Sequence, residues 1–514
     1  MYNTSLICNN FSGIKRKDSK FSAKQITASD LQNVELFSTE SNSGVGIRTV
    51  KGNTSICGLI PENEIVINIF DSVQNSVHNF LVHTESPTEG KLYLFEPQSK
   101  TLSLKKDGLS ITGKSCGTDF SQGWSDLFVF SNSEEILSIE LGKYNKDGAL
   151  DEVTTMNLLD RDERSIKGLG CLEFDGRLWI FNEKALWYSV KENIYDFSTA
   201  DAEIVTSAGY IEFVKPITAI YPYLGSLAVF HSDSSCLLSL TEDYKFAISE
   251  QSPGGCASDK ALIFHGVKLY FYDHNKKGIF SFTQEMAGNK LLGKNIAEEI
   301  QEELVAIPIS KIDRCRLDSV ITKDRNELWF LTPTDDELHS IIMIYDCIRN
   351  AWIKRKCQKI NCFATINDTL YSASNDIFEE YSGNDFNGEF IQSYYNCAPL
   401  NLGSDNTIKF FYYPPRVTLD LEFENNFYIK YAKDYDTLKP PKIRRIKAET
   451  VKNILHWDVG FWDKESYPPK VLNSIVKLPP AMFNTLEISF FNLYPSEEFC
   501  IKNIECSKIK LKQR

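Results

Sequence analysis

Seven histidines and thirteen cysteines in a chain of 514 residues raise the first question, whether any stand close enough in sequence to hold a metal or activate a nucleophile. His78 and His83 lie five apart and His265 and His274 nine apart, and neither pair has carboxylates spaced to complete a ligand set. Cys347, Cys357 and Cys362 are separated by ten and five residues, unlike a zinc ribbon or finger, and the chain has no CxxC. The cysteines therefore read as reduced thiols packed as small hydrophobes. No GxSxG, HExxH, P-loop or GxGxxG is present, and Gly168-Leu169-Gly170 leads into a strand where a dinucleotide site needs a helix. No catalytic, cofactor-binding or metal-ligating residue is nominated, and the chain reads as a non-enzyme without a cofactor.

Charge supplies the remaining candidates. The chain carries a net charge of -13, which argues against broad nucleic-acid affinity because phosphate neutralisation needs a basic surface. Against that background stand two basic runs, Lys439 to Lys447 and the tail Lys508 to Arg514. The first places Lys439, Lys442, Arg444, Arg445 and Lys447 as candidate assembly contacts, able to dock on an acidic face of a neighbouring subunit.

The elements that must position these residues are β-strands. One phrase, a polar or glycine turn followed by leucine and aromatic or small apolar residues, occurs seven times. The copies centre on Leu92, Leu127, Leu178, Leu227, Leu269, Leu328 and Leu370, with steps of 35, 51, 49, 42, 59 and 42. Such spacing brackets a four-stranded propeller blade, and a hairpin that cannot bury its apolar face alone is stabilised by stacking on its neighbours. The expected fold is all-β: a β-propeller of about seven blades with an inserted helix, followed by a C-terminal β-sandwich-like domain. Asn295 is placed to cap that helix, with Ile296, Ile300 and Leu304 on one face and Glu298, Glu299, Glu302 and Glu303 on the other.

The expected division is an N-terminal arm over 1–40, the propeller over 41–383 and the C-terminal β-domain over 384–514. The arm holds Ile14 to Lys20 and few apolar residues, as a segment ordered only by a neighbour would. The beginning, Met1-Tyr2-Asn3-Thr4-Ser5, shows no basic region followed by an apolar core, so no signal peptide is expected. The longest uncharged stretch, Pro216 to Phe230, is broken by Pro222 and Gly225, and no membrane-spanning segment is expected.

One region carries a family likeness. Leu178-Trp179-Ile180-Phe181, Leu186-Trp187-Tyr188-Ser189, Tyr195-Asp196-Phe197, Gly209-Tyr210-Ile211-Glu212, Pro216-Ile217-Thr218-Ala219-Ile220 and Gly225-Ser226-Leu227-Ala228-Val229-Phe230 together resemble the stabilisation, or tail nozzle, proteins of short-tailed bacteriophages. The resemblance covers roughly 165–285 well and 320–425 in outline. It implies a propeller combined with further β-domains, assembled as a ring beneath the portal that retains packaged DNA and passes it at ejection. The implied partners are copies of the chain, a portal or adaptor, other tail proteins and genomic DNA in non-specific transit. The implied location is the virion tail, after synthesis in the host cytoplasm. Two other readings are a protein-interaction scaffold, which lacks Trp-Asp and Gly-His signatures here, and a carbohydrate- or receptor-binding propeller with Trp179, Trp187 or Trp329 at a sugar site.

Overall fold

The computed structural model describes residues 3–513 except 9, 16–25, 40–43, 57–59, 123–124, 146–147, 200–205, 242–245, 249–252, 283–292, 400–406, 412–414, 421–422, 424, 434–440, 449–474, 479–481 and 484. The chain divides into two compact units, one of residues 54–341 and 358–380 and the other of 1–53, 342–357 and 381–514.

The first unit is the propeller, and its blades follow from hairpins that the sequence dictates. Phe174 pairs with Arg177 across Asp175-Gly176, Tyr223 with Ser226 across Leu224-Gly225, and Ile366 with Thr369 across Asn367-Asp368. All six turn residues have positive φ, as a two-residue turn matched to strand twist requires. Each such turn joins an inner strand to the second strand of its blade, and the leucine phrase is that second strand. Blade three shows the pattern: Gly170–Phe174, Arg177–Asn182, Ala185–Tyr188 and Gly209–Glu212, each antiparallel to the next.

Seven inner strands line the centre: Ile65–Gln74, Cys116–Gln122, Gly170–Phe174, Ala219–Tyr223, Leu262–His265, Arg316–Thr322 and Cys362–Ile366. The last lies beside the first, so the ring closes. Closure uses a strand from before the first blade: Asn53–Ser55 joins Cys362–Ile366, Thr369–Ala373 and Ile377–Glu380 to complete blade seven. The closed ring hides sheet edges that would otherwise template pairing with another chain. Apolar side chains fill the gaps between blades. Phe80 and Phe95 of blade one meet Tyr371 and Ile377 of blade seven, while Trp179 and Phe181 of blade three meet Leu227 and Val229 of blade four.

The expected helix lies between blades five and six but is short, a 3-10 turn Glu298–Ile300 running into an α-turn Gln301–Val305. Ile300 and Leu304 are buried as the spacing requires. Asn295 Oδ1 accepts from the Ala297 amide at 2.9 Å and from the Ile279 amide of blade five at 3.1 Å, so it ties the turn to the blade. A second 3-10 segment, Ile309–Arg314, follows Pro308.

The other unit corrects the linear division. The stretch read as an arm forms strands Asn3–Cys8, Phe11–Ile14, Ile26–Gln32 and Val34–Ser38. Asn3–Cys8 pairs with Cys500–Gln513, and Ile26–Gln32 pairs with Tyr394–Cys397, so N- and C-terminal segments build one two-sheet domain. The physical reason is that a few apolar residues suffice when they are placed in a shared core. Phe11, Ile14, Ile26, Ala28, Leu31 and Val34 are all buried, and the Tyr395 hydroxyl lies 2.7 Å from the Ser12 carbonyl and 2.9 Å from that of Ile26. Residues 16–20 of the basic segment lie outside the described residues.

Candidate functional site

The basic run from 439 to 447 becomes a sheet edge. Lys442–Ala448 pairs with Asn425–Lys433 on one side and ends its sheet on the other. Ile446 is buried and anchors the strand, whereas Lys442, Arg444, Arg445 and Lys447 are exposed, as is Ile443 at 57%. The cations differ in what they already hold. Arg445 Nη2 donates to the buried Glu497 carboxylate at 3.0 Å, and its guanidinium lies 5.7 Å from the Tyr428 ring centre. Arg444 Nη1 donates to the Lys477 carbonyl at 3.0 Å. Lys442 and Lys447 have no ion-pair partner among the described residues. Lys439 lies outside the described residues. An open edge bearing lysines resists indiscriminate strand pairing while remaining able to accept an acidic partner.

A second arrangement, which no run in the sequence announces, lies at one mouth of the propeller channel. A cavity of about 770 Å³ opens where the chain enters the inner strands. Lys114 stands just before the inner strand of blade two, Lys260 before that of blade five and Lys359 before that of blade seven, and Arg316 begins that of blade six. Lys311 and Arg314 reach in from the 3-10 segment ahead of blade six. Asp259, Asp313, Asp336 and Glu337 are the lining carboxylates. Blades three and four supply Leu169, Phe181, Ile217 and Thr218, an uncharged side.

Several of these charges are fixed by the fold. Arg316 donates to Asn68 Oδ1 at 2.6 Å, to the Phe363 carbonyl at 3.1 Å and to Asp318 at 3.1 Å. Lys311 holds the Thr334 carbonyl and Asp335, and Asp336 caps the amides of Leu338 and His339. Lys114 lies 3.7 Å from Asp313. The side chains of Lys260 and Arg314 have neither a hydrogen-bonded nor an ion-paired partner among the described residues, and the Lys359 ammonium donates only to the Asp336 main-chain carbonyl at 3.2 Å. Burial pushes the Lys260 ammonium down, Asp259 opposing and Arg316 adding to the effect. Burial also lowers Lys359, with Lys311 and Arg314 crowding it. Asp259 is pushed up by burial against the pull of Lys260, Lys114 and Arg316.

The other sequence candidates do not converge. His78 faces Asp71 at 2.9 Å at the surface, His265 bridges Ser319 and Asn326, and His83 is wholly buried. Among the described residues no group of three or more His, Cys, Asp or Glu is placed to hold a metal ion. None of the ten cysteines among the described residues is in a disulfide, and eight are buried. Trp179 and Trp329 are 0% exposed, their indole nitrogens bonded to the Phe174 carbonyl and Glu327, so both pack the blades and neither can face a sugar. No helix is long and apolar enough to cross a membrane among the described residues. The channel cations form no run that announces a site: Lys114, Lys260 and Lys359 stand far apart, and Lys311, Arg314 and Arg316 are interleaved with Ile312, Asp313 and Cys315. Their shared signal, a position at or just ahead of an inner strand, shows only when the repeats are aligned on inner strands.

No family model matches the sequence, and no curated protein matches it. Solved structures that resemble the chain include the selenomethionine-substituted virginiamycin B lyase of Staphylococcus aureus, at 12% identity and a TM-score of 0.39, covering 68% of this chain and 98% of that one. A catalytically inactive variant of the same lyase with quinupristin matches at 12% identity and 0.39, covering 65% and 98%. A quinonprotein alcohol dehydrogenase-like protein of Bacteroides thetaiotaomicron matches at 11% identity and 0.37, covering 62% and 70%. Likeness at this level carries no chemistry across to this chain.

Proposed function

We propose that this chain is a structural subunit of a short-tailed bacteriophage tail, a nozzle or stabilisation protein. Copies of it form a ring that extends the portal channel, retains packaged DNA and passes it at ejection. The observation that carries this reading is the exposed cationic edge strand Lys442–Ala448 in a chain of net charge -13, a surface suited to docking on the acidic face of an identical neighbour. The phage-like residues support it from another direction. Trp179, Leu186, Ile211, Ile217 and Leu227 pack in one cluster between blades three and four, so the resemblance lies in a pattern that builds the ring of blades. The DNA path belongs to the opening between subunits, because a cavity of about 770 Å³ inside one propeller holds a small molecule and not a duplex.

Light scattering on the purified chain tests this reading. The parent should give a discrete species of several chain masses that weakens as salt is raised, since exposed charge pairs are screened. The triple variant Lys442→Glu, Arg444→Glu, Lys447→Glu should give the monomer with an unchanged circular dichroism spectrum. A monomeric parent, or a variant that assembles like the parent, would count against this function.

A further inference from the structure

We propose that the mouth of the propeller channel binds a small organic anion carrying at least two negative charges, as phosphate or carboxylate, together with an apolar portion. This goes beyond the tail role and does not depend on it. The first argument is size: about 770 Å³ falls within the roughly 300–1,000 Å³ range of small-ligand sites. The second is charge. Six cations line the cavity, in a protein whose net charge is -13, and Asp318 and Asp335, outside the lining, pair with Arg316 and Lys311. Low-dielectric walls strengthen the pull on an anion of the cations left without such a pair.

The third argument is accounting by partner. Arg316, Lys311 and Lys114 are held by Asp318, Asp335 and Asp313, whereas Lys260, Arg314 and Lys359 have no ion-pair partner among the described residues. Those three come from blade five, the 3-10 segment before blade six, and the lead into blade seven, so they converge from different directions on one volume. Cations that crowd one another at partly buried positions are arranged for an anion the chain does not supply. Opposite them, Leu169, Phe181 and Ile217 offer an apolar wall with no charge from blades three and four, which is why the ligand has an apolar portion.

Isothermal titration at low salt with pyrophosphate and with citrate, and with maltose as a neutral control, tests the site. At least one anion should bind saturably at one per chain, and maltose should not. Lys260→Met should weaken that anion at least about tenfold, the loss of one charge-assisted contact. Lys359→Met should weaken it in the same direction and replaces Lys260→Met as the deciding variant should the latter fail to fold by circular dichroism. Lys442→Glu, on the edge strand of the other unit, should leave binding unchanged. Saturable binding by neither anion, binding undiminished in the folded channel variants, or equal weakening by Lys442→Glu would overturn the proposal. Because titration reads the chain whether or not it assembles, a negative result here leaves the tail role standing, and a monomeric parent leaves this site standing.

Discussion

Trp179→Ala should lower the stability of the propeller unit by about 3–5 kcal/mol, the range for removing a large aromatic side chain from a packed interior. Trp179 is 0% exposed and sits where blades three and four meet. Its ring lies 4.9 Å from that of Tyr188 and 5.0 Å from that of Phe246, and its Nε1 donates to the Phe174 carbonyl at 3.0 Å. Alanine leaves an interblade void and removes the indole hydrogen bond to Phe174 together, and adjacent blades cannot close the gap without distorting the ring. Val214→Ala, at a side chain 90% exposed, is the matched control and should change stability by less than about 0.5 kcal/mol. Urea unfolding followed by circular dichroism measures both. Equal effects would show that Trp179 is not an interblade core residue.

Acidification from pH 7 to 5 should remove about 2 kcal/mol of stability through His83 alone. Burial holds this imidazole at about 3, with the Lys260 ammonium adding to the depression. The ring is 0% exposed, packs edge-on against Phe130 at 5.1 Å, and has its Nδ1 3.1 Å from Ser115 Oγ. Below its ordinary value of 6.5 the unfolded chain takes up a proton that the folded chain refuses, so stability falls as pH falls. The loss begins near 6.5 and continues until the folded state also protonates near 3. Burial lowers His265 and His274 as well, and their contributions have the same sign. His83→Leu, close in volume and unable to titrate, should reduce the difference in unfolding free energy between pH 7 and pH 5 by about 2 kcal/mol. An identical pH dependence in the variant would refute the buried, neutral histidine.

The blade strands were legible because each carries its own turn chemistry. Asp175-Gly176 and Asn367-Asp368 declare their hairpins locally, and six of the seven leucine phrases are second strands of blades two to seven. The copy at Leu92 is the third strand of blade one, which explains the short first step of 35. The true second strand, Val77–Glu85, opens on Val77-His78-Asn79 after the positive-φ pair Asn75-Ser76 and so lacks the phrase. What the sequence concealed was non-local. Nothing in Asn53–Ser55 announces that it completes blade seven, more than three hundred residues away, and nothing in Asn3–Cys8 names Cys500–Gln513 as its partner. Pairing at that separation depends on backbone groups and on a few buried side chains such as Phe11 and Leu31, which leave no periodic trace. The edge cations stand out as a run in the sequence, and Lys442, Arg444, Arg445 and Lys447 share one exposed edge strand. The channel cations come from blades two, five, six and seven and become a site only when the ring closes.

The central claim, that this chain is a ring-forming tail component, is tested most directly by electron microscopy of purified phage particles labelled with an antibody against the propeller unit. The account predicts label at the tail below the portal vertex, in a ring of copies seen on averaging. Particles that carry no label there, while the chain is found free in the lysate, would contradict it.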